Sequence, residues 1–291
     1  MHKSALPHIA TDVSTRDIGI HCGVDRLKFW LDQDIRTKDL QADGDSTRAE
    51  SISARMPMNP LWRTQVDVTA PTLGWLRHFQ HIAASAQIHV TYVELAVDIL
   101  FESQALSAAM QTAIIGHVKF MHRRDAVSEH MGTYYCGTRT QAGKRSPHVV
   151  AVYADRPSKM AGAHGLAQGG TCAHLEHRLS GSGPIAAAGI RTLADLIQFD
   201  HRAYHAQHNR LYHLPSQTEL GGLLPPGRNL AVDDAALRKR ARKWRADHEL
   251  ANGTFCLHNA LRDTSGLERH LQRADFLPWL KSTAARISTE S

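Results

Sequence analysis

Glu94 and Asp98 stand four residues apart in a run, residues 88–101, where Val93, Leu95, Val97, Ile99 and Phe101 alternate with Tyr92, Glu94, Ala96 and Asp98. Alternation of this kind predicts a strand with one apolar and one polar face, and it puts both carboxylates on the polar one. Four residues of strand span ~13 Å, too far for both acids to grip one ion unaided. Glu176 supplies a third carboxylate in the run TCAHLEHRL, residues 171–179, where it points opposite to Leu175. A neighbouring antiparallel strand lies ~4.8 Å away and can set Glu176 beside either acid. Carboxylates sharing a face repel unless a cation joins them, and oxygen-only donor sets suit Mg²⁺ or Mn²⁺. The competing reading of the same spacing is solvated acids, or acids paired with Arg178 and nearby histidines.

Sulfur and imidazole offer less. Cys22, Cys136, Cys172 and Cys256 are scattered with no CxxC pair, which argues against a disulfide framework or a cysteine zinc site. Cys172 and His174 could join a further ligand on zinc, but no second spaced pair accompanies them.

The elements that must position these groups follow from periodicity. Residues 18–31 read as a strand, and residues 32–50, charged and rich in Asp, as a loop inserted after it. Residues 103–121 carry Leu106, Met110, Ala113, Ile114 and Val118 at helical spacing. Strand-like runs at 132–138 and 148–155 flank a turn-forming segment and predict a hairpin whose tip carries Arg139, Lys144 and Arg145. Residues 192–213 and 233–250 have helical patterns, separated by the breaker GGLLPPGRN at 221–229. The expectation is an α+β fold, an antiparallel sheet with helices packed on it, occupying residues 18–220, followed by a basic helical region at 230–285.

Lys and Arg number 34 against 28 Asp and Glu, a net charge of +6 with histidine neutral, and 20 histidines can add to it. The balance favours a polyanionic partner. Arg238, Lys239, Arg240, Arg242, Lys243 and Arg245 put six cations in eight positions of a helix, with Trp244 among them. They and the hairpin-tip group are the candidate DNA contacts, the bland alternative being a solvated helix. No window approaches the ~18 apolar residues of a membrane span. The opening residues lack the apolar stretch of a secretory signal, so a cytoplasmic protein with reduced thiols is expected.

Five short motifs then matter together: GVDRLKF at 23–29, VELAVD at 93–98, TYYCGTR at 133–139, VYADRPSK at 152–159 and HLEHRL at 174–179. In this order they resemble the strands of rolling-circle replication initiation proteins of plasmids and filamentous phages. The resemblance runs from about residue 23 to residue 212. It implies a metal-dependent nickase and religase, in which a tyrosine hydroxyl attacks a DNA phosphodiester, stays joined to the 5′ phosphate and releases a 3′ hydroxyl. On this chain it implies Glu94, Asp98 and Glu176 as ligands of Mg²⁺ or Mn²⁺. No tyrosine stands in the turn directly after HLEHRL, so the nucleophile is assigned to Tyr204, with Tyr212 and Tyr135 as alternatives. The implied partners are DNA, double- and single-stranded at an origin, and a host helicase, with a homodimer allowed. The histidine-hydrophobe-histidine triplet of another class of rolling-circle nucleases is absent, His174-Leu175-Glu176 being the nearest approach. A noncatalytic DNA-binding regulator of the same fold, and an unrelated metal-dependent hydrolase, are the alternative functions.

Overall fold

The computed structural model describes residues 19–53, 59–121, 124–137, 146–159, 171–225 and 233–289. Its centre is an antiparallel eight-stranded sheet, and the longest strands are the ones whose alternation is clearest. The chain opens with β1 (Ile20–Leu31), crosses to the edge with β2 (Arg48–Ser53) and returns as β3 (Thr64–Thr69). After helix α1 (Leu73–Ile82) comes β4 (Ile88–Phe101), then α2 (Gln104–His117) and the short β5 (Val118–Phe120). A second run of strands follows, β6 (Val127–His130), β7 (Thr133–Cys136), β8 (His148–Tyr153) and β9 (Thr171–Ser180). The order across the sheet is β2-β3-β1-β4-β9-β8-β7-β6, so β4 and β9 are central and pair directly.

The rest of the chain is mostly helical: α3 (Ser182–Ala187), α4 (Leu193–Ile197), α5 (His201–His208), then β10 (Asn209–Tyr212), α6 (Gln217–Leu223), α7 (Asp234–Asp247), α8 (Leu257–Asp263), β11 (Arg273–Ala274) and α9 (Phe276–Thr289). Strands β11, β10 and β5 form a small second sheet.

Both main hydrophobic clusters lie on one face of the large sheet. Val24, Leu27, Phe29, Val93, Leu95 and Leu179 pack against α1, α3 and α4, while Val97, Ile99, Val150, Val152 and Leu175 pack against α2 and α9. The expected α+β architecture with helices on an antiparallel sheet is what the chain adopts. Three local readings change. Residues 103–121 are not one helix, since α2 ends at His117 and Val118 already belongs to strand β5, which pairs with β10. Residues 32–50 are not one loop, since Arg48 already enters edge strand β2, whose partner β3 hydrogen-bonds it from Arg48↔Thr69 to Ser53↔Thr64. Residues 192–213 are not one helix: α4 ends at Ile197, Asp200 caps α5 by accepting from Ala203 N, and β10 then pairs with β5. The C-terminal elements rejoin the main body, for Phe276, Trp279, Leu280 and Ala284 share a core with α2 and the sheet. No described helix is long and apolar enough to cross a membrane.

Candidate metal centre

The face of the sheet opposite those helices carries the acids. Paired residues across an antiparallel ladder point the same way. One row therefore runs Gly23, Ala96, Glu176, Ala151, Tyr135 and Ser128. The next runs Arg26, Glu94, Arg178 and Val149. Gly23, Ala96 and Ala151 are small, so Glu176 sits on a floor with no bulky side chain beside it in its row.

Asp25 joins this face through an irregularity. The ladder pairs Val24 with Leu95 and Arg26 with Glu94, leaving Asp25 as an extra residue between them. Such a bulge re-aims a side chain and strengthens local twist. Its carbonyl accepts from Ala70 N at 2.8 Å, which fastens the bulge to the end of β3. The result is a group of three carboxylates, Asp25, Glu94 and Glu176, whose ligand atoms all lie within 4.8 Å of one another. They are 4%, 6% and 0% exposed.

Two cations and two phenols surround them. Lys159 Nζ lies 2.5 Å from Asp25 Oδ2. Arg178 reaches Glu176 Oε2 at 2.7 Å and Glu94 Oε1 at 3.7 Å. Tyr153 donates its hydroxyl to Glu176, and Tyr92 donates to Glu94. Burial, together with the Glu176 charge, pushes the Asp25 carboxyl above its ordinary range despite the pull of Lys159. Burial likewise raises Glu94, with Asp25 adding to the effect and the Tyr92 hydrogen bond opposing it. Lys159 is held above its ordinary value: burial works against its charge, and the attraction of Asp25 and its acidic neighbours outweighs burial. Three carboxylates thus share the space with two cations, Lys159 and Arg178. An all-oxygen, buried, anion-rich donor set fits a hard divalent cation such as Mg²⁺ or Mn²⁺, and Asp25, Glu94 and Glu176 are the residues that would hold it.

Asp98 lies elsewhere on the face. Its Oδ1 is 2.8 Å from His174 Nδ1 and its Oδ2 accepts from Ser158 Oγ at 2.5 Å. The other ring nitrogen of His174 donates to the Arg156 carbonyl at 2.9 Å. Both nitrogens therefore face acceptors, the arrangement of a charged imidazolium. Burial opposes that charge, but Asp98 outweighs it and raises the ring's pKa. Tyr153 stacks on the same ring at 4.3 Å. Cys172 is near enough to Asp98 and His174 for the three to form a second potential ligand group, but His174 already spends both nitrogens, and burial drives the Cys172 thiol far up. The arrangement clamps residues 156–158 and so delivers Lys159 to Asp25.

The tyrosines singled out by sequence are spread widely. Tyr204 is 5% exposed and packs with Phe199, His177 and His208. His177 points away from Glu176, its neighbour in β9, so Tyr204 is on the helical face and separated from the acids by the sheet itself. Burial raises its hydroxyl pKa. Tyr212 is 1% exposed and donates to Glu268, which also holds Lys119 and Arg210. Tyr135 is half-buried on the acidic face, with Ala151 between it and Glu176.

The basic helix divides by role. Arg238, Lys239, Arg242 and Lys243 are exposed on α7. Arg240 instead donates to the carbonyl of Gly221 in the last turn of α6, and Arg245 lies over the Phe255 ring at 5.2 Å. Gly221 is required there, because a Cβ would collide with the Leu237 backbone of α7. Trp244, 8% exposed, donates to Thr264 and packs in the core of this region. Arg139, Lys144 and Arg145 lie outside the described residues.

The sequence-based candidates thus contribute Glu94 and Glu176 to the centre, while Asp25 takes the third place. The signal for Asp25 was present: in GVDRLKF the apolar step from Val24 to Leu27 is three and from Leu27 to Phe29 is two, the mark of an extra residue in a strand. Tyr92, whose side chain alternates onto the face of Glu94, was equally legible.

No protein-family model matches this chain, and no curated protein matches it. Among solved structures it is similar to the rolling circle replication initiator protein from Geobacillus stearothermophilus, at 10% identity and a TM-score of 0.38, covering 77% of this chain and 97% of that one.

Proposed function

We propose that this protein is a metal-dependent DNA nickase and religase of the replication-initiating kind, acting on one strand at an origin. The observation that supports this best is the buried centre of Asp25, Glu94 and Glu176 on the sheet face opposite helices α1, α2, α3, α4 and α9. A divalent cation held there would neutralise the scissile phosphate and the charge developing on it. The chain's own groups prepare the site. Arg178 and Lys159 hold Glu176 and Asp25 in place. Arg26 and Lys28, which share Asp67 on the same face, offer cations beside the centre for the flanking backbone. The exposed stripe of Arg238, Lys239, Arg242 and Lys243 on α7 is a second place for phosphate contacts, with duplex DNA as partner. A noncatalytic DNA-binding relative is the second reading, favoured by the burial of Tyr204 on the opposite face.

The test combines binding and chemistry. Isothermal titration with Mn²⁺ should show a site in the native chain that Glu176→Gln abolishes. Supercoiled plasmid carrying the DNA that flanks the gene should be nicked by the native chain with Mn²⁺ and not by the variant. Equal Mn²⁺ binding by both proteins would refute the centre; binding without nicking would favour the noncatalytic reading.

A further inference from the structure

We propose that the cleft between α5, the β10–β11 ladder and the first turn of α9 binds a small phosphate ester of the nucleoside monophosphate kind. The cleft has a volume of about 360 Å³ and is lined by Arg202 from α5, Arg210 from β10 and Arg273 from β11. Ligand sites run from roughly 300 to 1,000 Å³, so this one suits a single nucleotide and nothing much larger. None of its lining residues belongs to the acidic centre or to α7, and the nickase reading makes no use of it.

The ladder explains why the arginines converge. Arg273 pairs with Tyr212, and Arg210, two residues earlier on β10, alternates onto the same face. Diagonal neighbours of this kind stand about 7–8 Å apart. Arg210 is half-buried, while Arg202 and Arg273 are exposed. Glu268 does not neutralise the group, because Arg210 shares that one carboxylate with Lys119. Among the described residues Arg273 has no ion-pair partner, and Asp275 is the one acid in the lining. Three guanidiniums against one carboxylate repel each other until an anion joins them. Phosphate oxygens match the fork of an arginine, which can donate two parallel hydrogen bonds.

The remaining walls favour an ester over the bare ion. The first turn of α9 lines the cleft with Phe276, Leu277 and Pro278, and the N–H groups of Phe276 and Leu277 are among those a helix leaves without internal partners. The positive end of the α9 dipole therefore adds to the arginines. Ala203 and Ala206 on α5, with Leu277 and Pro278 on α9, are apolar and small enough to leave room for a base and sugar. A duplex backbone is a convex ridge and meets protruding side chains such as those of α7, whereas a walled cleft receives a small molecule.

Isothermal titration of the full chain with AMP, with inorganic phosphate and with a single-stranded oligodeoxynucleotide tests this, in EDTA so that metal at the acidic centre plays no part. AMP is expected to bind the native chain more tightly than inorganic phosphate does. Arg273→Ala and Arg202→Ala, on different elements, should each weaken AMP about tenfold or more, the worth of one lost charge-assisted contact. Lys38→Ala removes an exposed cation beside edge strand β2 and should bind AMP as the native chain does. Melting temperatures equal to that of the native chain show that the variants are folded. No AMP binding by the native chain, or equal affinity in the native chain and both arginine variants, overturns the site. An equal loss in Lys38→Ala traces the binding to net charge and overturns it too. Oligonucleotide affinity that falls in Arg273→Ala while AMP does not bind gives these arginines to the nucleic-acid backbone and overturns the nucleotide assignment.

Discussion

Replacing Glu94 by Gln should make the metal-free protein more stable and the metal-loaded protein less so. Gln keeps the shape of the side chain and an oxygen for the Tyr92 hydroxyl, but removes a buried charge. With ligand atoms within 4.8 Å and an effective dielectric of about 20, Glu94 is repelled by Asp25 and Glu176 by ~3.5 kcal/mol each. Arg178, at 3.7 Å, returns ~4.5 kcal/mol on the same scale. The difference, eroded further by the attraction of Lys159, favours the variant by about 2 kcal/mol. A chain of 291 residues unfolds with an entropy near 0.6 kcal/mol/K on the usual per-residue scale, so the shift is roughly 3 °C upward. In Mn²⁺ at about a hundred times its dissociation constant, the native chain gains ~2.7 kcal/mol, or roughly 4 °C, and the variant gains nothing. Differential scanning calorimetry in EDTA and in Mn²⁺ reads both. The order of the two melting temperatures should invert between the buffers. A variant several degrees less stable in EDTA, or an equal Mn²⁺ shift in both proteins, would refute the electrostatic reasoning.

Other outcomes follow from groups outside the centre. Glu268 binds Lys119, Arg210 and Tyr212, and hydrogen bonds from these partners overcome burial and hold its carboxyl down at about 2. Its stabilisation is present above the ordinary Glu pKa of ~4.3 and lost as pH falls toward 2; Glu268→Gln should cost ~2 kcal/mol at pH 7 by urea titration, with a smaller cost at pH 3. His205, 0% exposed and facing His177, Asn209 and Phe276 with His201 and His208 nearby, has its pKa driven down to about 3 by burial. The unfolded chain binds that proton first, so stability declines as pH falls below ~6.5, by ~1.4 kcal/mol per pH unit from this group. His205→Gln should flatten the dependence of the urea midpoint between pH 7 and pH 5. On α7, Arg242→Ala should reduce the salt dependence of DNA binding by a slope of ~0.9 without moving the melting temperature. Arg240→Ala should do the reverse, because its guanidinium holds Gly221 rather than facing solvent.

The large sheet was legible because its central strands alternate without interruption: Val93 to Phe101 reads as an inward face on inspection, and Leu175 and Glu176 divide as expected. Edge strand β2 was hidden because an edge needs only one apolar anchor, Ala49, between charged neighbours that solvent accepts. The break between α4, α5 and β10 was hidden because caps at Thr192 and Asp200 and pairing with β5 set those boundaries, and side-chain periodicity does not record them. At the site, parity along β4 put Glu94 and Asp98 on one face, but a strand-length argument alone could not say which would meet Glu176. The register decides it: Glu176 pairs with Ala96, between the two acids, and the bulge at Asp25 fills the side toward Glu94 while His174 claims Asp98. Six cations in α7 looked equivalent in sequence, and only packing against α6 and Phe255 separates the two structural arginines from the four exposed residues.

A crystal soaked in Mn²⁺ and measured for anomalous scattering tests the central claim most directly. One anomalous peak bounded by Asp25, Glu94 and Glu176, with Lys159 displaced from Asp25, is the predicted result. A peak at Asp98, Cys172 and His174, or none on this face of the sheet, would contradict the account.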